Sequence, residues 1–266
     1  MLRYFGFIVA LLPICAFGVG PGTPGGTNTS DFLSVGQSGV LIGPDLVLTA
    51  KHVGAFPFTL PGYGTFSVIT NSERTDPNSD LALFRINNQG MVLPFTTVLD
   101  TPVIDGSTIT MVGFGSSGVL NSAGTGYDNS LGNGIRRKAN AIVNRTEFIS
   151  YPNTLIGTAL ISILRENGQG ALYGGDSGGG WFQNVNGTSY LVGTSSFINV
   201  WGSWTGSNAW QFSSSNDDYF ASGAVSLAHA SSWLRANGAN VVPEPSSWFV
   251  LGTVCIVFAG RYRRST

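Results

Sequence analysis

A single serine stands among glycines in the segment Gly174-Gly175-Asp176-Ser177-Gly178-Gly179. A serine hydroxyl is a weak nucleophile until a base removes its proton and backbone N–H groups stabilise the oxyanion that forms. Glycines have no Cβ, so the backbone can turn sharply there and direct such N–H groups at a reacting atom. The segment therefore indicates acyl-transfer chemistry with Ser177 as the nucleophile.

The candidates for the base are few, because the chain contains only two histidines, His52 and His229. His52 follows the apolar run at 46–50. A histidine close to the serine can take its proton. His52 and Ser177 are therefore one candidate pair for this chemistry.

Three motifs resemble those of trypsin-like (chymotrypsin-fold) serine proteases: Thr49-Ala50-Lys51-His52, Ser79-Asp80-Leu81-Ala82-Leu83-Phe84 and Gly175-Asp176-Ser177-Gly178-Gly179. They occur once each, in the order His, Asp, Ser that this family shows. The resemblance implies an endopeptidase that forms an acyl-enzyme, with His52, Asp80 and Ser177 as catalytic residues. It also implies an oxyanion hole made by the backbone N–H groups of Gly175 and Ser177.

The same resemblance implies where a substrate side chain would bind. Ala171 would lie at the base of the pocket, and Ser196, Phe197 and Ile198 would line its wall. Because no acid stands at the base, we do not expect a preference for Lys or Arg. A bulky Ile198 is expected to favour small or medium apolar side chains of a protein or peptide substrate.

In animal members of the family, the aspartate that matches Asp176 binds a new N-terminus released by an activating cleavage. This sequence shows no clear cleavage motif of that kind before residue 36. The partner of Asp176 is therefore open.

Turn-forming residues divide the middle of the chain into short apolar runs, which is typical of an all-β protein. The sequence contains 37 glycines and 12 prolines, and these residues mark turns between strands. The expected strands are 38–42 and 46–49 (as a hairpin), 81–86, 108–114, 135–143, 155–164, 181–183 and 190–197. Helical spacing predicts one C-terminal helix over 227–236, ended by Gly238. The basic residues at 136–138 are interpreted as a solvated face.

The family resemblance implies two six-stranded antiparallel β-barrels followed by the C-terminal helix. The first barrel is expected over residues 31–120, and the second barrel with the helix over 121–238, with the boundary near 115–133. The active site would lie in the cleft between the barrels. A disulfide within the domain is excluded, because Cys15 and Cys255 lie in apolar terminal segments.

Both ends of the chain are expected to be targeting segments. Residues 1–20 combine an early positive charge with an apolar run, as in a secretory signal peptide, and a linker follows at 21–30. Residues 241–266 combine Pro-Glu-Pro, a short apolar run and an arginine cluster, and resemble the PEP-CTERM sorting signal. This resemblance implies a transmembrane sorting helix that an exosortase-type enzyme processes. It also implies export across the inner membrane of a Gram-negative bacterium, to the cell surface, periplasm or extracellular matrix.

Two other functions are open at this point. Gly175-Asp176-Ser177-Gly178-Gly179 also fits the Gly-x-Ser-x-Gly elbow of α/β-hydrolases, and Asp217 or Asp218 with His229 would complete the order Ser, Asp, His. Against this esterase hypothesis, the chain lacks alternating strand and helix units. The non-enzymatic alternative is a catalytically inactive surface or matrix protein built on the protease fold.

Composition argues against several other classes of protein. Charged residues make up only 10% of the chain and the formal net charge is −1, so there is no electrostatic reason to expect a nucleic-acid partner. The two histidines are far apart and the central domain has no cysteine, so neither a zinc site nor a cofactor is expected.

Overall fold

The computed structural model describes residues 32–117, 132–151, 154–163, 170–199 and 221–243. Within these ranges the chain is mostly β, with sixteen strands and one short helix. The elements are β1 Val35–Gly36, β2 Gly39–Leu41, β3 Leu46–Ala50, β4 Phe58–Leu60, β5 Gly64–Phe66, β6 Arg74–Thr75, β7 Leu81–Arg85, β8 Val98–Leu99, β9 Thr108–Gly113, β10 Arg137–Ile142, β11 Arg145–Tyr151, β12 Thr154–Ile163, β13 Gly180–Val185, β14 Thr188–Asn199, β15 Ala221–Ser226, α1 Ser231–Ala236 and β16 Val241–Val242. Several expected features lie outside the described residues: the signal peptide, the linker, the part of the sorting segment beyond residue 243, and Asp217 and Asp218.

A five-stranded sheet in the order β1-β2-β3-β7-β6 occupies the first part of the chain. The expected hairpin is confirmed, because β2 and β3 pair antiparallel with Val40 opposite Leu48. All five residues of β3 are buried, which explains why its sequence is apolar at every position except Thr49 rather than alternating. A separate two-stranded sheet, β4-β5, packs beside this sheet.

The larger sheet has nine strands, with the main order β10-β9-β13-β14-β15-β12-β11. Its edge strands β10 and β11 are consecutive in the chain and separated only by Val143 and Asn144. The backbone N–H of Asn144 donates to the carbonyl of Ile161 in β12, at 2.8 Å. The chain bends between β10 and β11, so that one continuous segment provides both edge strands and the two edges of the sheet approach each other. The count of two six-stranded barrels stays a prediction.

Strand β9 belongs to the larger sheet, where it pairs with β10 and β13. The change from the smaller sheet to the larger one comes before β8, which already pairs with β14. The expected domain boundary near 115–133 stays a prediction. The pairing partners of β9 lie 24 or more residues further along the chain, so local sequence patterns could not show this assignment.

Three of the clusters of buried apolar side chains among the described residues hold the sheets together. One lies within the smaller sheet and includes Phe84, and one lies within the larger sheet around the fully buried Trp181. The third contains residues of both sheets and of the helix, among them Leu83, Val225 and Leu234. This shared cluster fixes the two sheets against each other, since each fully buried side chain of this size contributes about 1.5–3 kcal/mol.

The C-terminal helix is shorter than the sequence predicted. It covers Ser231–Ala236, and Ala230 at its N-cap offers no side-chain hydrogen bond. Residues 227–230 form a turn before the helix, and the hydroxyl of Ser226, which could have capped a helix that begins at residue 227, lies 3.0 Å from Nδ1 of His229. Gly238 follows the helix at φ +88°, as predicted. Among the described residues, no helix has the length and apolar character needed to cross a membrane.

Candidate active site

Antiparallel pairing of β3 with β7 brings His52 and Asp80 together. Ala50, the last residue of β3, is the partner of Leu81, the first residue of β7. His52 lies two residues after Ala50 and Asp80 one residue before Leu81, so both follow from one register. The backbone N–H of Lys51 donates to the carbonyl of Asp80 at 3.1 Å and holds the two segments at this spacing.

His52 bridges an aspartate and a serine. Its Nδ1 lies 2.7 Å from Oδ2 of Asp80, and its backbone N–H donates to Oδ1 of the same carboxylate at 3.0 Å. Its Nε2 lies 2.9 Å from Oγ of Ser177, which is 125 positions away in the chain. With Asp80 accepting from Nδ1–H, Nε2 is left as an acceptor for the serine proton. The three candidate residues are therefore assembled with the geometry that proton transfer from Ser177 requires.

The carboxylate of Asp80 has a second hydrogen-bond partner, Ser196. The hydroxyl of Ser196 donates to Oδ2 of Asp80 at 2.5 Å, and both residues are buried. Ser196 is also the residue expected to line the substrate pocket, and that expectation stays a prediction. A register shift on β14 between Ser195 and Phe197 leaves Ser196 out of the regular ladder. No local pattern in the sequence signals this irregularity.

The serine loop fits closely against the smaller sheet at Gly178. This residue has φ +83°, and a Cβ there would lie 2.0 Å from the carbonyl oxygen of Ser38 and 2.5 Å from Oγ1 of Thr49. Oγ1 of Thr49 itself donates to the Ser38 carbonyl at 2.6 Å, so these neighbours are held in place. Only glycine has room and the backbone freedom for this approach.

Two backbone N–H groups of the serine loop are available at the nucleophile. Among the described residues, no hydrogen bond uses the N–H of Gly175 or of Ser177. The N–H of Asp176, between them, donates to the carbonyl of Tyr173 at 3.1 Å. Gly175 has φ +94°, a conformation that side chains disfavour. The expected oxyanion donors are thus free within the described structure; one belongs to Ser177 itself and the other lies two residues before it.

Asp176 is buried beneath the serine loop and binds two backbone N–H groups. Gly115 donates to Oδ1 at 2.8 Å and Tyr173 donates to Oδ2 at 2.9 Å. Burial raises the pKa of Asp176 well above its usual value, against the opposing effects of the Tyr173 N–H and the charge of Arg137. The open partner of Asp176 is therefore found inside the described chain, and no released N-terminus is needed to occupy it.

The basic stretch at 136–138 is not the solvated face that we expected. Arg136 and Arg137 are only 4% and 7% exposed. Burial lowers the pKa of Arg137, and the charge of Asp176 raises it. Arg137 has the same strand parity as Ala139 and Ala141, which are buried as well. The alternation of buried positions along this strand could have indicated that Arg137 is buried. The usual preference of arginine for solvent favoured the opposite prediction.

The expected pocket residues divide between two faces of the larger sheet. Ile198 is the cross-strand partner of Ser222 and packs against the cluster of the larger sheet. The Oγ of Ser222 accepts the N–H of Leu172 at 2.8 Å, so the segment with the buried Ala171 lies against the same end of β15. Phe197 points to the opposite face, because it packs against the cluster shared by the two sheets.

His229 has a different neighbour from His52. Its Nδ1 lies 3.0 Å from Oγ of Ser226, and the residue is exposed. Ser177 leads into β13, which pairs antiparallel with both β9 and β14, whereas the elbow of α/β-hydrolases sits between a strand of a parallel sheet and a helix. The esterase hypothesis is therefore not favoured. The described residues include no group of three or more His, Cys, Asp or Glu side chains that could hold a metal ion.

The chain is similar to a known protein family and, in its fold, to solved structures. A family model described as a trypsin-like peptidase domain matches residues 37–193. The solved active form of the Rv3671c protease from M. tuberculosis is 16% identical, with a TM-score of 0.51 over 90% of this chain and 95% of that chain. Its inactive form is 18% identical, with a TM-score of 0.47 over 86% and 100%. The HtrA-type protease AlgW with decapeptide is 17% identical, with a TM-score of 0.47 over 75% and 50%.

At these identities the structural likeness concerns the fold alone, which is chymotrypsin-like with little helix. No curated protein sequence is significantly similar to the chain.

Proposed function

The chain belongs to the trypsin-like peptidase family, and from this premise we propose that it is a serine endopeptidase that works through His52, Asp80 and Ser177. The observation that carries the proposal is the position of His52, with Nδ1 at 2.7 Å from Asp80 and Nε2 at 2.9 Å from Ser177. A noncatalytic scaffold has no need of a half-exposed histidine that joins a buried carboxylate to a serine hydroxyl.

In the proposed reaction, Oγ of Ser177 attacks the carbonyl carbon of the scissile peptide bond while Nε2 of His52 takes its proton. The carbonyl electrons move to oxygen, and the N–H groups of Gly175 and Ser177 bind the oxyanion. The C–N bond then breaks, and the leaving amine receives the proton from His52. Water, deprotonated by His52, attacks the acyl-enzyme in the same way and releases Ser177 with its proton restored.

Asp80 would orient His52 and stabilise its imidazolium form. The two bonds that it makes to His52 and the third from Ser196 fix the carboxylate from three directions. In a comparable triad, replacing the aspartate by asparagine lowers kcat by about 10⁴-fold, because the imidazole then takes the wrong tautomer. Loss of one oxyanion donor costs about 10²–10³-fold.

For the substrate, we infer a preference for small or medium apolar side chains at the residue that precedes the scissile bond. Two observations support this. Ala171 offers no charge to a Lys or Arg side chain, and Ile198 shares its face of the sheet with Ser222, whose hydroxyl binds the N–H of Leu172. Together, Ile198 and Ser222 would limit the depth of the pocket.

Export and membrane sorting are part of the proposal and rest on the sequence of the two ends. The segments at 1–20 and 241–266 support removal of a signal peptide and processing of a sorting tail by an exosortase-type enzyme. Mass spectrometry of the protein recovered from cell fractions tests this. Intact termini on a cytoplasmic protein would contradict it.

The test of the catalytic proposal is a peptide-library cleavage assay with the wild-type protein and three variants. His52→Ala and Ser177→Ala are each expected to lower kcat/KM by at least about 10⁴-fold. His229→Ala is the matched control and should retain wild-type activity, since the imidazole of His229 hydrogen-bonds to Ser226 and not to Ser177.

A fluorophosphonate probe adds an independent measurement at the nucleophile. It should label wild-type Ser177 and not the Ser177→Ala variant. Failure of the folded wild-type protein to react with probe or peptides would favour the inactive protease-fold alternative. Loss of activity in His229→Ala with activity retained in His52→Ala would refute the assignment of the base.

A further inference from the structure

The backbone of Asp80 is anchored on a strand of the other sheet. Its N–H donates to the carbonyl of Ile156 in β12, at 3.1 Å. Strand β15 pairs with β12 only from Ala159 onward, so the earlier part of this edge of β12 is open to another partner. Asp80 thus lies at the end of a strand of the smaller sheet, while its backbone N–H hydrogen-bonds to the larger sheet.

A β-bulge in β12 provides this carbonyl. Ile149 of β11 pairs with Gly157, but the next residue, Ser150, pairs with Leu155. Ile156 is therefore the extra residue on β12, with no partner in β11. Bulges release a residue from the ladder and are common beside active sites, where they redirect local groups. Here the released carbonyl is the one that accepts from Asp80.

Gly157, the residue next to Ile156, lies very close to the acid segment, residues 76–80. It has φ +89°, and a Cβ built on it would lie 2.8 Å from Cβ of Ser79 and 2.9 Å from the carbonyl oxygen of Asn78. Carbon atoms do not approach so closely without displacement of one of them. The residues just before Asp80 therefore rest on the bare Cα of Gly157.

The acid segment has little freedom to absorb a displacement. Oγ of Ser79 donates to Oδ2 of Asp76 at 2.5 Å, and the N–H of Asn78 donates to Oδ1 of the same carboxylate at 3.1 Å. Asp76 and Ser79 are both buried. A push on Ser79 is consequently passed to the adjacent Asp80 instead of being lost in a flexible loop.

We propose that Gly157 is a positioning residue for the triad. The bulge at Ile156 and Gly157 determines the distance between the acid segment and β12. The position of this segment in turn determines the distance between the Asp80 carboxylate and the His52 imidazole. The inference rests on the proposed peptidase function, and it adds a contact between the sheets to the catalytic assembly. Gly157 itself touches no reacting atom; it acts through Asp80.

Gly157→Ala tests this proposal, with Gly187→Ala as the matched control. Gly187 also has positive φ (+84°), but nothing lies within 4 Å of a Cβ built on it, so the control carries the backbone strain without the contact. We expect Gly157→Ala to lower kcat by about tenfold or more with KM changed less than about twofold, because small misplacements of catalytic groups are costly. The control should keep the wild-type kcat.

A proton NMR signal gives a readout that does not depend on turnover. The His52 Nδ1–H proton bound to Asp80 resonates far downfield in a short hydrogen bond, and Gly157→Ala should shift or broaden it whereas Gly187→Ala should not. If the wild-type protein hydrolyses no peptide, the proposed function fails, but this signal still tests the positioning. Equal kcat and equal NMR spectra for the two variants would overturn the inference.

Second-site variants separate positioning from general destabilisation. In the Gly157→Ala background, Ser79→Gly removes the Cβ that the new methyl group meets, whereas Ser79→Ala keeps it; both remove the hydroxyl. Only the pair with Ser79→Gly should recover part of the lost kcat, and equal recovery by both pairs would refute the contact.

Should Gly157→Ala not fold, Ser79→Thr approaches the same contact from the other side. It keeps the hydroxyl for Asp76 and adds a methyl group to the Cβ that faces Gly157. A lower kcat with a shifted His52 signal supports the proposal, and wild-type values for both would overturn it.

Discussion

Asp176 illustrates how one buried side chain can order the loop that carries the nucleophile. Its carboxylate accepts N–H groups from Gly115 and Tyr173, which lie 58 positions apart, and it has Arg137 as a charged neighbour. These bonds replace, within the described structure, the anchor that a released N-terminus provides in animal proteases. The serine loop therefore has a partner for its aspartate without cleavage of the chain.

The raised pKa of Asp176 leads to a prediction for the stability of the protein. Because burial raises this pKa in the folded state, the protonated carboxyl is favoured by folding. Its contribution is full below about pH 4, the usual pKa of aspartate, and is lost as the pH rises through the raised value. The free energy of unfolding of the wild type, measured in urea relative to Asp176→Asn, should therefore fall with rising pH across this window. A difference that is constant with pH would contradict the prediction.

The pairing of β14 with β15 positions the residues of the proposed pocket. The register shift at Ser196 turns that hydroxyl to Asp80; pairing then resumes with Phe197 opposite Gly223, and Ile198 follows opposite Ser222. Because of this irregularity, Ser196 binds Asp80, whereas Ile198, two residues later, is proposed to limit the size of the substrate side chain.

Ile198→Gly is expected to enlarge the pocket. Removing the side chain next to Ser222 should raise kcat/KM for peptides with Leu or Phe before the scissile bond, relative to peptides with Ala there, by about tenfold or more. Competition between the two peptides in one assay measures the ratio. Phe197→Ala is the matched comparison, because Phe197 lies on the other face, and it should change the ratio much less. Equal effects of the two variants would place the pocket elsewhere.

The cluster that both sheets share holds the two parts of the triad in one body. His52 and Asp80 come from the ends of strands in the smaller sheet, while Ser177 precedes β13 in the larger one. Leu234 is fully buried in this cluster and belongs to the only helix among the described residues. The short helix therefore contributes to the packing of the two sheets against each other.

Leu234→Ala should lower the free energy of unfolding by about 2–5 kcal/mol, since it leaves a cavity in a packed cluster. Ser232→Ala, on the exposed side of the same helix, should change it by less than about 0.5 kcal/mol. Denaturant unfolding measures both values. Well below the melting temperature, kcat of Leu234→Ala should equal that of the wild type. A large loss of kcat there would mean that the cluster also sets the geometry of the site.

Several features could be predicted because their signals are local. The hairpin of β2 and β3, the strand β7 and the glycines around Ser177 are each encoded by neighbouring residues whose backbone preferences and apolar pattern need no distant partner. The trypsin-like family, which three short motifs indicated, is confirmed by the match over residues 37–193. The catalytic roles assigned to those motifs remain proposals that the assays above test.

Other features depended on partners far away in the chain. The burial of Arg137 follows from its pairing with β9 and the nearby Asp176, and the contact of Ser196 with Asp80 spans 116 positions. Residue types and spacing were enough to indicate which side chains suit proton transfer and where the chain turns. The hydrogen bonds of Asp80 to Ile156 and Ser196 became evident only in the folded protein, because such contacts arise when separate sheets pack, and residue types alone do not specify that register.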